Sequence, residues 1–81
     1  MFYTYVLRSK LDNKLYVGYS SDLRRRFEEH ARGDVDATRL RRPFILIYYE
    51  ACLREKNAIK REKYLKSGYG RRYLIERLTG E

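Results

Sequence analysis

Eighty-one residues allow one domain with one modest core; a chain this short buries only about 60–65% of the surface its unfolded form exposes, which excludes a second domain or a deep cofactor cavity. At 43% hydrophobic and 37% charged the chain is globular rather than disordered, and its formal charge of +8 favours a polyanionic partner (DNA, RNA or an anionic surface). The lone cysteine, Cys52, excludes internal disulfides and cysteine-based zinc sites and fits a reducing cytoplasm.

No apolar run approaches the ~18 residues that cross a membrane, so no membrane association is expected. Met1-Phe2-Tyr3-Thr4-Tyr5 lacks the basic-then-apolar order of a signal peptide. The charge is unevenly placed. Arg54 to Arg72 holds eight Lys or Arg against Glu55 and Glu62. That clustering tilts the reading towards nucleic acid, with a soluble domain that is merely basic as the plain alternative.

Phe2 to Arg8, rich in aromatic and β-branched residues, is predicted as a strand with Tyr3, Tyr5 and Leu7 on one face. Leu11 to Lys14 supplies turn residues. Leu15 to Tyr19 is a second strand and completes a hairpin, with Tyr16 and Gly18 on one face. A helix follows. Ser20 or Ser21 can cap it, Asp22 suits its first turn and Gly33 its exit, and Leu23, Phe27 and Ala31 form the expected buried stripe.

Asp34 to Arg42 is expected to be a polar, basic loop. Pro43 then precedes Phe44 to Tyr49, a continuous apolar run expected to be a well-buried third strand. A second helix is predicted from Leu53 to Ser67, stopped by Gly68, and a final one from Arg71 to Leu78. The order β-β-α-β-α-α implies an α+β domain spanning 1–81, a small three-stranded antiparallel sheet flanked by helices. Tyr69 and Tyr73 can pack on the core or on a second copy, so the oligomeric state stays open.

The three arginines of the first helix are not equivalent. Arg24 and Arg25 precede Glu28 and Glu29 by four residues and can pair along the solvent face. Arg26 precedes His30 instead, and the two flank the apolar stripe on the sheet side. Taken singly, Arg26 is readily a snorkelling side chain and His30 a boundary histidine; together beside a strand bearing Tyr16 they are less ordinary. On the second helix Ala58, Glu62 and Leu65 recur at i, i+4, i+7. That places a carboxylate at the apolar stripe, where it needs a partner: Lys66 one turn on, or a divalent cation with waters. The tyrosines serve equally as cross-strand packing. Gly18 marks either the strand's end or a close approach.

These residues resemble the GIY-YIG nucleases. Tyr3-Thr4-Tyr5 is similar to the first motif and Tyr16-Val17-Gly18 to the second, the two motif tyrosines eleven residues apart. Ser21 to His30 resembles the family's first helix, and Lys60 to Lys66 its glutamate-bearing helix. The likeness covers nearly the whole chain. It is closest to the small stand-alone members, similar to the nuclease module of the excision-repair protein UvrC. Tyr3 and Thr4 stand where the first motif has Gly and Ile, and no second histidine or late asparagine is present.

The resemblance implies a metal-dependent endonuclease acting on nucleic acid, with DNA as the first expectation and RNA left open by the sequence, in repair or recombination, alone or with a larger protein. It implies Tyr5, Tyr16, Arg26, His30 and Glu62 as catalytic residues, with Glu62 holding Mg²⁺ or Mn²⁺. Tyr5 would then be the general base, while an unperturbed imidazole makes His30 an equal candidate. Lys56, Lys60, Lys63 and Lys66, with Arg39, Arg41 and Arg42, would track the phosphate backbone without reading bases. The rival reading is a non-catalytic basic binding module or adaptor that keeps the fold.

Overall fold

The computed structural model of the chain describes residues 1–80. The elements, in chain order, are β1 (Phe2–Ser9), β2 (Leu15–Ser20), α1 (Leu23–Arg32), α2 (Asp36–Arg39), β3 (Phe44–Cys52), α3 (Glu55–Leu65) and α4 (Gly68–Thr79). The three strands form one antiparallel sheet in the order β2-β1-β3, so the first strand is central.

The expected α+β architecture holds, with one addition. A four-residue helix, α2, stands inside the segment expected to be loop. Its sequence is polar and no side chain caps it, so nothing in the pattern announces it.

The hairpin forms because its turn is locally satisfied. Asn13 takes the left-handed φ of 61° that asparagine tolerates. Asp12 accepts from the Lys14 N–H at 2.9 Å. The buried Ser9 hydroxyl accepts from the Leu11 and Asp12 N–H groups and donates to the Arg41 carbonyl at 2.6 Å, which ties the turn to the segment after α2.

Alternation along β1 divides the core in two. Tyr5 and Leu7 pack with Phe44, Leu46, Tyr16 and, from α1, Leu23 and Phe27. Val6 and Val17 pack on the other face with Leu65 of α3 and Leu74 of α4. Helix α1 and the α3–α4 pair therefore cover opposite faces of the sheet.

Several expectations are corrected. The cap of α1 is Asp22, whose carboxylate accepts from the Arg25 N–H, and not Ser20 or Ser21. Ala31 is exposed; the inward stripe of α1 runs Leu23, Phe27, His30, because a 3.6-residue turn brings i+7 under the helix as well as i+8. The ion pair on that helix joins Arg26 to Glu29 at 3.0 Å rather than Arg24 or Arg25 to the glutamates.

Strand β3 runs on to Cys52 and is mostly half-buried, since it is an edge strand with Tyr49 open to solvent. A bulge opposite Val6 and Leu7 skips Ile47 in the ladder, and Ile47 and Tyr48 both pack against the Val6 cluster. Leu53 is exposed and precedes α3. Gly68 opens α4 instead of closing α3, because the Ser67 hydroxyl accepts from the Gly70 N–H and caps the new helix.

Candidate active site

The central strand delivers Tyr5 to the α1 face, where only 1% of it remains exposed. Its cross-strand partner on β2 is Gly18. A Cβ at Gly18 would lie 2.6 Å from the Tyr5 Oη and 2.8 Å from Cζ, so the phenol occupies the space that the missing side chain leaves. Gly18 thus marks a close approach rather than a strand's end, and what approaches is Tyr5 itself.

Helix α1 supplies His30, which has no solvent exposure. Its Nε2 is 2.8 Å from the Tyr5 Oη, and its Nδ1 is 2.7 Å from the hydroxyl of Thr38 on α2. The Tyr16 ring stands edge-on to the imidazole at 5.1 Å between centroids and is tilted against Tyr5 at 6.5 Å. Three of the sequence-singled residues therefore touch.

Arg26, one turn before His30, is about a third exposed and bonds Glu29. Burial pushes the Tyr5 phenol up to about 12, with the neighbouring Arg26 guanidinium working against that rise. Burial, and then the Arg26 charge, hold His30 down to about 4. The imidazole is neutral at pH 7, and both its nitrogens are engaged. With Nε2 at Tyr5 and Nδ1 at Thr38, the ring keeps no free edge for a water.

Glu62 arrives from the helix on the opposite sheet face. Its charge still reaches the Tyr5 hydroxyl, as the weakest of the influences that raise the phenol. Its side chain is 19% exposed, and its partner Lys66 is at a long 3.4 Å. No group of three His, Cys, Asp or Glu that could cage a metal occurs among the described residues. An ion of the Mg²⁺ kind needs no such cage, since one carboxylate and waters can hold it, and Glu62 would be that carboxylate here.

Of the basic residues, Lys56, Lys60 and Lys63 on α3 and Lys66 just after it are exposed, as are Arg39 at the end of α2 and Arg42 beyond it. Arg39 leans on Asp36, and Arg42 donates to the Arg39 carbonyl. Arg41 is already committed. Its guanidinium bonds Asp12 at 2.8 Å, holding that carboxyl down to about 2, and lies over the Phe44 ring. The residue that sequence reasoning missed is Thr38. A threonine eight places after a histidine carries no pattern, and only the fold of α2 makes them neighbours.

Residues 1–74 match the family described as the GIY-YIG catalytic domain. The chain belongs to the GIY-YIG family. That membership places it in a superfamily of nucleases. A UPF0213 protein of Staphylococcus aureus (strain Mu3) is 36% identical over 66 residues, covering 80% of this chain and 79% of the relative. A UPF0213 protein of Staphylococcus saprophyticus matches at the same 36% over 66 residues. The solution NMR structure of a UPF0213 protein from Bacillus halodurans superposes with a TM-score of 0.57 at 34% identity, covering 94% of this chain and 84% of that one.

The two GIY-YIG motifs are thus neighbouring strands, with Tyr5 paired to Gly18 and Leu7 to Tyr16. No helix among the described residues is long and apolar enough to cross a membrane.

Proposed function

We propose that this GIY-YIG domain is a divalent-metal-dependent endonuclease that hydrolyses phosphodiester bonds of DNA in the cytoplasm, in repair or recombination. The observation that carries the reading is the buried 2.8 Å contact between the Tyr5 hydroxyl and His30 Nε2, with Tyr16 and Arg26 around it. A phenol in a hairpin needs no neutral imidazole behind it merely to pack.

Phosphodiester hydrolysis requires charge neutralisation, a deprotonated nucleophile and a stabilised leaving oxygen. Tyr5 takes the proton of the attacking water while its own passes to His30 Nε2. Such a transfer leaves no free phenolate to be formed in a site that disfavours one. Tyr16, partly buried beside the pair, orients the water. Arg26 has donors beyond the one given to Glu29 and grips a non-bridging phosphate oxygen. Mg²⁺ or Mn²⁺ held by Glu62 supplies Lewis-acid stabilisation of the phosphate and leaving oxygen when bound. Lys56, Lys60, Lys63 and Lys66, with Arg39 and Arg42, guide the backbone in, while Arg41 braces the hairpin turn.

The test is incubation of the purified chain with plasmid and branched DNA in Mg²⁺ or Mn²⁺, beside Arg26→Ala and Glu62→Ala. Each substitution is expected to lower cleavage about 10²-fold, the scale for one preorganised transition-state stabiliser. Equal nicking by all three proteins would reveal a contaminant. Tight binding without cleavage would favour a non-catalytic binding module.

A further inference from the structure

The Tyr5–His30 contact continues inward. His30 Nδ1 meets the Thr38 hydroxyl at 2.7 Å, and that hydroxyl faces the Val35 carbonyl at 3.4 Å. Both His30 and Thr38 have no solvent exposure, and Thr38 sits on a four-residue helix whose other three residues are exposed. We propose that Thr38 is a positioning residue of this site: its hydroxyl accepts the Nδ1–H of His30 and thereby presents the bare Nε2 to the hydroxyl of Tyr5.

Donor and acceptor capacities set the direction of the chain. The groups in hydrogen-bonding range of the Tyr5 oxygen are Arg26, which can only donate, and His30 Nε2, while Tyr16 and Glu62 act on it from further off. The phenolic proton therefore needs Nε2 as its acceptor. A neutral imidazole with a bare Nε2 carries its hydrogen on Nδ1, and that hydrogen needs an acceptor in turn. The Thr38 oxygen takes it while its own hydrogen points to the Val35 carbonyl. The opposite direction would put a hydrogen on Nε2 against the phenol and leave the phenolic proton facing a guanidinium.

The remaining titratable or charged groups near the imidazole are Tyr16 and Glu29. Neither is bonded to Nδ1, so Thr38 is the side chain that answers that nitrogen and, together with the demand of Tyr5 at Nε2, holds the tautomer. The hydroxyl does this from a distance, through His30 and without touching the phosphate. The sequence shows no reason for a buried threonine in a basic loop; this chain supplies one.

The inference rests on the nuclease reading for its catalytic meaning, but its primary measurement does not. Nitrogen-15 correlation spectra of His30 at pH 7 report which ring nitrogen holds the proton. In the wild-type chain and in Thr38→Ser, the proton is expected on Nδ1. In Thr38→Val, which keeps the shape and loses the hydroxyl, it is expected to move to Nε2. Cleavage by Thr38→Val is expected to fall at least about tenfold in kcat with KM unchanged, on the scale for losing a group that orients a functional imidazole, and Thr38→Ser is expected to restore it.

A proton on Nε2 in the wild-type chain overturns the proposal, with no variant required. So does an unaltered tautomer in a folded Thr38→Val. The expected tautomers in a chain that never cuts DNA would sink the nuclease reading alone.

Discussion

His30 makes the site sensitive to acid in a way that can be measured without substrate. An imidazole held at about 4 in the folded chain binds its proton near 6.5 once unfolded. Between those values the unfolded state carries the extra proton, so stability rises with pH across this window and is lost as pH falls through it. The contribution is at most about 3 kcal/mol and saturates below the folded value. Urea unfolding at pH 7 and pH 5 is expected to show the wild-type chain losing more stability than His30→Gln. Equal losses would mean that the imidazole is not buried neutral. Gly18 offers a second check. In Gly18→Ala the new methyl would meet the Tyr5 hydroxyl carbon and oxygen, so Tyr5 must swing away from His30. A loss of about 1–3 kcal/mol is expected in denaturant titration. An unchanged midpoint would show that Tyr5 is not held there.

Helices α3 and α4 meet through another glycine. A Cβ on Gly70 would strike the Tyr64 carbonyl and lie 2.5 Å from the Leu65 Cα, both backbone atoms that cannot step aside. Gly68, two residues earlier, has open space around it. Gly70→Ala is therefore expected to cost more than about 2 kcal/mol, and Gly68→Ala to be neutral or slightly stabilising. Thermal melts of the two variants decide this, and similar melting temperatures would refute the tight crossing. Pattern alone made Gly68 the stop and left Gly70 unnoticed, since close backbone approach between helices has no periodic signature. The hairpin, α1 and the glutamate-bearing α3 were legible because alternation, a 3.6-residue stripe and turn residues are local signals. Local patterning brought Tyr16 and His30 towards one another, whereas Tyr5 entered the group only through the resemblance to the GIY-YIG motifs. Helix α2, the bulge at Ile47 and the role of Thr38 depend on which segments meet, and four polar residues or one skipped ladder position leave no trace in a pattern. Burial also bears on the choice of base: the fold engages both imidazole nitrogens and lowers, without abolishing, the ring's affinity for a proton, which is why the proposed mechanism reaches His30 through Tyr5.

Seen entire, the molecule is a slab of about 28 × 27 × 18 Å that carries its charge outside its chemistry. The lysines of α3 are exposed and the phenol–imidazole pair is buried. On the nuclease reading proposed above, DNA affinity is expected from counterion release at the lysines and cleavage from the buried pair. Affinity is expected to fall steeply between about 50 and 200 mM salt, and Lys60→Ala with Lys63→Ala to reduce the slope of log K against log salt by about two. Fluorescence titration across salt concentrations measures both; a flat response would remove phosphate tracking by α3. The sheet order carries a further consequence for biosynthesis. The strand made first is the one that must be sandwiched, and its second neighbour does not begin until Phe44. A nascent chain halted before that point holds β1 with one row of amides and carbonyls unanswered, an adhesive margin for any similar ribbon. Premature termination in this gene would therefore yield sticky fragments rather than inert ones.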